Sequence, residues 1–122
     1  MNYKLIWEPH GVVIRFSGTI TINDIVEASV DYEKDWRFDN LFYVIADYTQ
    51  IASCTSKPEQ IDEVWIVDAG AKMSNNRIKK AVVATSPEVI AMAEHYKGSL
   101  GSPFPVKCFN TEIEAREWIN VR

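Results

Sequence analysis

The sequence predicts an α/β fold in which four helices flank a five-stranded, mostly parallel sheet. Hydroxyl residues stand before four helix-like stretches, at Thr21, Ser56, Ser86 and Thr111. Three of these sites fit the capping box and Ser86 is followed by proline, which suits the first helical position. Leu41–Ala46 is a near-continuous apolar run, which is typical of a strand covered on both faces. We therefore predict a βα unit repeated four times, with one extra strand in front.

An antiparallel hairpin is predicted at the start of the chain. Tyr3–Glu8 alternates apolar and polar residues, and Val12, Ile14 and Phe16 repeat that alternation after the turn residues 8–11. The later strands are predicted at Leu41–Ala46, Ala81–Ala84 and Phe104–Phe109.

Helical periodicity places the four helices. The first is predicted over residues 22–34 and the third over 87–97, while a fourth around Ala115, Trp118 and Ile119 docks the end of the chain. The second, over 58–74, has an apolar stripe of Ile61, Val64, Trp65 and Ala69, with Asn75–Asn76 as a left-handed stop. Ile66, Val67 and Ala71 lie outside or at the margin of that stripe. Either neighbouring elements cover this extra apolar arc or Ile66 contacts a second subunit, a partner or an apolar ligand.

Composition narrows the possible partners. The 122 residues suit one domain, 1–122, and the net charge of −4 argues against nucleic acid. Arg77, Lys79 and Lys80 form the densest basic cluster, interpreted as a solvated turn. No apolar run reaches the length of a membrane span, and two cysteines without a signal peptide suggest a cytoplasmic protein with reduced thiols.

The segment Asp47–Ser56 is the main candidate site. It is predicted to be a long, mobile loop at the carboxyl end of a buried strand, where open α/β sheets bind ligands. Its candidate binding or regulatory residues are Asp47, Thr49, Ser53, Thr55 and Ser56. Asp47 could equally cap its own turn, and Ser56 could simply cap the second helix.

Enzyme signatures are lacking in the sequence. Cys54 near a helix start has no identifiable histidine partner, and Cys108 suits a small core residue. His10 and His95 stand at no metal-ligand spacing, so neither a metal nor a cofactor is predicted. Trp36 is predicted to pack beneath the sheet; an exposed Trp36–Phe38 pair would instead mark a partner surface.

Two segments resemble a known family. The ending Val106–Ile119 combines a strand, Phe109, an acidic cap and the helix Glu114-Ala115-Arg116-Glu117-Trp118-Ile119, and Gly18–Thr21 forms a Gly-x-hydrophobic-Thr corner. Together they resemble the SpoIIAA-like (STAS-fold) family of small bacterial proteins. The resemblance implies a SpoIIAA-like fold used for binding rather than turnover. In anti-sigma antagonists of this fold, a serine at the start of the second helix is phosphorylated, and Ser56 falls there. Thr55 and Lys57-Pro58 depart from that pattern.

Two functions follow as expectations. The first is a non-enzymatic STAS-like module that binds a protein partner, or itself, through the second helix and the Asp47–Ser56 segment. The second is a carrier of a small apolar or lipid-like ligand between helices and sheet. An enzyme using Asp47 or Cys54 is a distant third.

Overall fold

A computed structural model describes residues 2–98 and 101–120. It contains a five-stranded sheet in the order β1-β2-β3-β4-β5. The strands are β1 (Tyr3–Trp7), β2 (Gly11–Ile20), β3 (Tyr43–Cys54), β4 (Lys79–Val83) and β5 (Val106–Phe109). The helices are α1 (Ile22–Glu33), α2 (Asp62–Ala71), α3 (Pro87–Lys97) and α4 (Glu112–Ile119), with 3-10 turns at Trp36–Asn40 and Pro58–Ile61. β1 and β2 are antiparallel, and the other pairs are parallel, as predicted.

The two faces of the sheet are covered unequally. The larger core packs α1, α2 and α3 on one face and includes Val12, Ile14 and Phe16 of β2. The smaller core packs Ala115 and Ile119 of α4 on the other face. The alternation of each strand sends successive side chains to opposite cores, as the period of two requires.

The predicted loop Asp47–Ser56 is wrong for most of its length, since β3 continues to Cys54. β2 likewise continues to Ile20, across the first three residues of the predicted Gly18–Thr21 corner, and the two extensions pair with each other from Ser17↔Gln50 to Ile20↔Cys54. The register shifts on either side of Gly18, whose φ of 75° accommodates the irregularity. The sequence did not predict this extension, because most of its side chains are exposed and show no apolar pattern. Among residues 48–54, Tyr48, Ile51 and Cys54 pack against the core.

The second helix also differs from the prediction at both ends. Residues 58–61 form a 3-10 turn, and the α-helix ends at Ala71. Asn75 does not adopt positive φ; it is buried, and its side-chain amide donates to the carbonyls of Phe38 (2.7 Å) and Leu41 (2.9 Å). It therefore joins the end of α2 to the segment that precedes β3. Among the described non-glycine residues, positive φ occurs at Asn120, after α4.

Trp36 is not packed beneath the sheet. It is 80% exposed, while Phe38 is buried in its place. The Arg37 guanidinium lies 3.9 Å from the ring centroid of Trp7 and 5.7 Å from that of Trp36. The predicted alternative, an exposed Trp36–Phe38 pair, is therefore also wrong.

Candidate functional site

The outer face of α2 carries an apolar surface. Ile66 is 68% exposed, and Met73, in the turn that continues the helix, is 91% exposed. Gly70 stands between them, and apart from its chain neighbours and its own helix backbone no described atom lies within 4 Å of the position a Cβ would occupy. Spacings of four and seven residues put these three on one helical face. We call Ile66, Gly70 and Met73 the α2 face.

The inner face of α2 is anchored in the core. Ile61 and Val64 of the predicted stripe are buried, whereas Trp65 and Ala69 are half-buried. The Trp65 indole N–H donates to the carbonyl of Gly101 at 3.0 Å. This bond ties α2 to the segment after α3.

A groove of about 630 Å³ lies beside this face, between α2 and α3. Its lining includes Asp62, Trp65 and Ile66 from α2 and Glu94, His95 and Tyr96 from α3. His95 Nε2 lies 3.3 Å from Asp62 Oδ1 across the groove. The groove lining therefore combines the apolar and aromatic side chains of Ile66, Trp65 and Tyr96 with the carboxylates of Asp62 and Glu94.

Asp47 and Thr49, both predicted site residues, form a local hydrogen-bonded structure. Asp47 is buried, and its Oδ1 accepts from the backbone N–H (2.9 Å) and the hydroxyl (2.7 Å) of Thr49. Its Oδ2 lies 2.6 Å from Arg15 Nη1. Both oxygens are thus engaged, and the interpretation of Asp47 as a turn cap describes the geometry better than a site acid.

Ser53, Thr55 and Ser56 follow at the same end of the sheet. Ser53 and Thr55 are exposed, with the Ser53 hydroxyl 3.3 Å from that of Thr19. Ser56 does not cap the second helix. Its hydroxyl accepts a 2.6 Å hydrogen bond from the N–H of Ile22, the first residue of α1. The predicted residues thus lie along one strand and its exit, and Ile66 is placed on α2 apart from that hydrogen-bonding system.

A charged network that sequence reasoning missed lies under α4. Arg15 bridges Asp47 and Glu112 (3.2 Å), and Arg116 contacts Glu112 (3.0 Å). Arg116 also makes two bonds to Glu8, at 3.0 and 2.7 Å, and Tyr43 donates its hydroxyl to Glu8. The Arg116 hydrogen bonds lower the pKa of Glu8, although burial opposes the shift. The one sequence signal was the Glu112–Arg116 spacing of four.

A buried polar cluster lies where α1, α2, α3 and β4 meet. Asp68 is fully buried, with its Oδ2 2.7 Å from Lys80 Nζ and 2.6 Å from the Tyr96 hydroxyl that donates to it. Lys80 is buried too, so its interpretation as part of a solvated turn is wrong. The signal was available: Asp68 follows Ile61 and Val64 by seven and four residues, on the core stripe.

The protonation of this cluster follows from burial. Burial raises the pKa of Glu33 from 4.5 to about 9, with a hydrogen bond to Asp68 and the charge of Asp68 adding to the rise. Burial alone would raise the pKa of Asp68, but the Lys80 ammonium and the hydrogen bonds from Glu33, Lys80 and Tyr96 outweigh it and lower that pKa. Glu33 is therefore a neutral acid near pH 7. Glu33 Oε2 and Asp68 Oδ1 are both buried without a hydrogen-bond partner among the described residues, so the Glu33 carboxyl proton is available to Asp68 Oδ1.

The space between helices and sheet bears on the carrier function. The cavity bordered by Ile25, Tyr48, Lys80 and Tyr96 has a volume of about 30 Å³. That is room for roughly one or two waters, an order of magnitude below the ~300 Å³ of small ligand pockets. The described residues around this cavity therefore leave no preformed space in it for a lipid-like ligand.

Both cysteines, Cys54 and Cys108, are free thiols. Cys54 is buried with its Sγ 3.6 Å from Met92 Sδ, and burial raises the pKa of the half-buried Cys108 thiol. Within residues 2–98 and 101–120, no group of three or more His, Cys, Asp or Glu side chains is arranged to hold a metal ion. None of the helices in that part of the chain is both long and apolar enough to cross a bilayer.

Comparison with known proteins identifies the family. A family model described as SpoIIAA-like matches residues 12–120. The chain belongs to the SpoIIAA-like family. The predicted α/β fold, and the SpoIIAA-like fold that the resemblance implied, are thereby confirmed. A search of curated proteins found no match.

Solved structures share the SpoIIAA-like fold at low sequence identity. The anti-sigma factor antagonist SpoIIAA in its unphosphorylated form matches with a TM-score of 0.60 and 12% identity, over 98% of this chain and 99% of that one. The phosphorylated Bacillus cell fate determinant SpoIIAA gives 0.57 and 13%, over 97% and 99%. An uncharacterized SpoIIAA-like protein from Shewanella loihica gives 0.55 and 11%, over 96% and 91%. Identities this low establish the fold alone.

Proposed function

We propose that this SpoIIAA-like chain is a non-enzymatic regulatory module that binds a partner protein through the α2 face. The observation that carries the proposal is the exposure of Ile66 and Met73 around Gly70, on a helix anchored in the core from its other side. Exposing large apolar side chains to water is unfavourable, and a contiguous exposed apolar surface is typical of an interaction site.

Gly70 supports the same function. With no side chain, it lets a partner approach the helix backbone between the two flanking apolar residues. SpoIIAA, which shares the fold, is an anti-sigma factor antagonist and so acts on another protein. The proposal gives Asp47, Thr49 and Ser56 structural roles, since their polar atoms are occupied within the chain.

The test replaces Ile66 with lysine and uses a matched control on the opposite side of the sheet. Ile113 on α4 is 74% exposed, so Ile113→Lys makes the same chemical change away from α2. Partners are cross-linked to the parent chain in cells, identified and purified. Their affinities for the parent and both variants are then measured by calorimetry, together with thermal melting of each variant.

We expect Ile66→Lys to weaken binding at least about tenfold and to melt like the parent chain, because Ile66 contributes little to the core. Ile113→Lys should bind as the parent does. Equal loss of binding in both variants, or no loss in either, would place the partner elsewhere and refute the proposal.

A further inference from the structure

Carboxylates from both helices line the groove between α2 and α3: Asp62 from α2 and Glu94 from α3. Asp62 and Glu63 occupy the first turn of α2, Glu59 precedes them, and no basic residue occurs on this helix before its C-terminal cap, Lys72. α3 adds Glu94 to the groove lining. The net charge of the chain, −4, has the same sign.

The chain's own side chains leave both carboxylates largely exposed. His95 approaches Asp62 at 3.3 Å and Lys97 approaches Glu94 at 3.2 Å. The side chains of Asp62 and Glu94 nevertheless remain 66% and 62% exposed. Each carboxylate has two oxygens, so each retains acceptor capacity for a cation from outside.

Trp65 provides an independent observation. The other three tryptophans each have a cation near the ring: Arg37 near Trp7 and Trp36, and Lys79 near Trp118. Among the described residues, no Lys or Arg is placed over Trp65. Its indole is held by the hydrogen bond to Gly101 and is half-buried at the groove. Tryptophan is the aromatic ring that binds cations best.

We infer that the groove receives a lysine or arginine side chain from a basic amphipathic segment of the partner protein, whose apolar face covers Ile66. This inference rests on the proposed function and adds the chemistry of the partner. The cation would lie over Trp65 between Asp62 and Glu94, while apolar side chains pack on the α2 face. Charge complementarity selects this occupant, because an acidic or neutral segment would bring no cation to the acceptor sites that remain exposed on both carboxylates.

The experiment uses three designed amphipathic helical peptides with one identical leucine face. Their polar faces carry Lys and Arg, Gln, or Glu. Binding to the full chain is followed by the NMR signals of the Trp65 indole N–H and the Ile66 methyl groups, and by anisotropy of a labelled peptide. We expect the basic peptide to shift both signals and to bind at least about tenfold more tightly than the Gln peptide. That preference should shrink as salt is added.

Variants connect the preference to the groove. Asp62→Asn with Glu94→Gln should reduce the preference for the basic peptide to about twofold. Glu27→Gln with Glu117→Gln removes the same charge from exposed positions on α1 and α4, and should retain the preference. If both double variants lose the preference for the basic peptide equally, the preference reflects the net charge of the chain and the inference is overturned.

The outcomes separate this inference from the proposed function. If all three peptides bind the parent chain with equal affinity and Ile66→Lys abolishes the binding of all three, the α2 face binds partners but the cation inference is wrong. If the basic peptide does not bind, the inference is overturned while calorimetry with the purified partner still decides the proposed function. If free arginine shifts the Trp65 signal as strongly as the peptide at equal concentration, the groove is a small-molecule site and the inference is likewise overturned.

Discussion

Ser56 shows how one side chain can join two elements. Its hydroxyl accepts from the first N–H of α1, while the carboxylate of Asp24 accepts from the N–H of Thr21 at 2.9 Å. Two of the N–H groups at the start of α1 are thereby satisfied, one of them by a residue that follows β3. A cap supplied from another element stabilises both the helix and its position on the sheet.

We expect Ser56→Ala to lower the free energy of unfolding by about 1 kcal/mol, because the N–H of Ile22 loses its acceptor. Ser56→Asp retains an acceptor and adds a charge that the helix dipole favours, so it should remain close to the parent. Urea denaturation measures both. The control is Ser53→Ala, which removes an exposed hydroxyl near Thr19 and should change little. Equal losses of unfolding free energy in Ser53→Ala and Ser56→Ala would contradict the capping role of Ser56.

At the scale of elements, ion pairs as well as apolar packing hold α4 against the sheet. Its apolar contribution is small, chiefly Ala115 and Ile119. Glu112 and Arg116 on the same helix extend the contact to Arg15 on β2 and to Glu8 at the hairpin turn. Isolated surface ion pairs contribute little, but bidentate pairs within a network are better placed to contribute.

A double-mutant cycle tests whether the Glu8–Arg116 ion pair stabilises the docking of α4. Glu8→Gln and Arg116→Met, alone and together, should show a coupling energy of about 1 kcal/mol in urea denaturation, because the pair is bidentate and partly buried. The comparison pair, Glu94→Gln with Lys97→Met, is an exposed i,i+3 contact on α3 and should couple by about 0.3 kcal/mol. Equal coupling in the two cycles would mean that the network does not hold α4.

At the scale of the whole molecule, the Glu33–Asp68–Lys80–Tyr96 cluster makes stability depend on pH. The folded-state pKa of Glu33, about 9, lies above its unfolded value of 4.5. Between these values the folded state binds more protons than the unfolded state, so the free energy of unfolding decreases as pH rises. Asp68 acts in the other direction: its pKa is lowered below 3.8, and its stabilising contribution is lost as pH falls through that lowered pKa.

Glu33→Gln is the variant that isolates the Glu33 contribution. The amide resembles the neutral acid, keeps a donor for Asp68 and cannot ionise. We expect the variant to match the parent near pH 5 and to exceed it in stability near pH 9, as measured by urea denaturation across that range. Glu27→Gln, on the exposed side of the same helix, should give a difference from the parent that does not vary in this way. A Glu33→Gln profile parallel to that of the parent would show that Glu33 titrates normally in the folded state.

The sequence by itself determined the order of the strands and helices and much of the larger core. Capping residues and helical or alternating periodicity are local signals, read over a few neighbouring residues, and together they located the N-terminal hairpin, α1, α3 and α4. Periodicity alone located α2, since Ser56 does not cap it. They also showed that Ile66 stands at the margin of its helix stripe. Ile66 of the α2 face could therefore be anticipated before the structure, whereas Gly70 and Met73 could not.

Only the tertiary structure decided which polar residues meet. Ser56 contacts Ile22, Lys80 contacts Asp68, and Arg116 contacts Glu8 across 108 positions. Each of these contacts joins different elements, and their chemistry is complementary only once the sheet has brought those elements together. The strand extension to Cys54 has the same cause, since exposed residues there are ordered by backbone pairing with β2 rather than by an apolar pattern. Local periodicity records which face of an element is buried, whereas hydrogen bonds and ion pairs depend on partners that only the folded chain supplies.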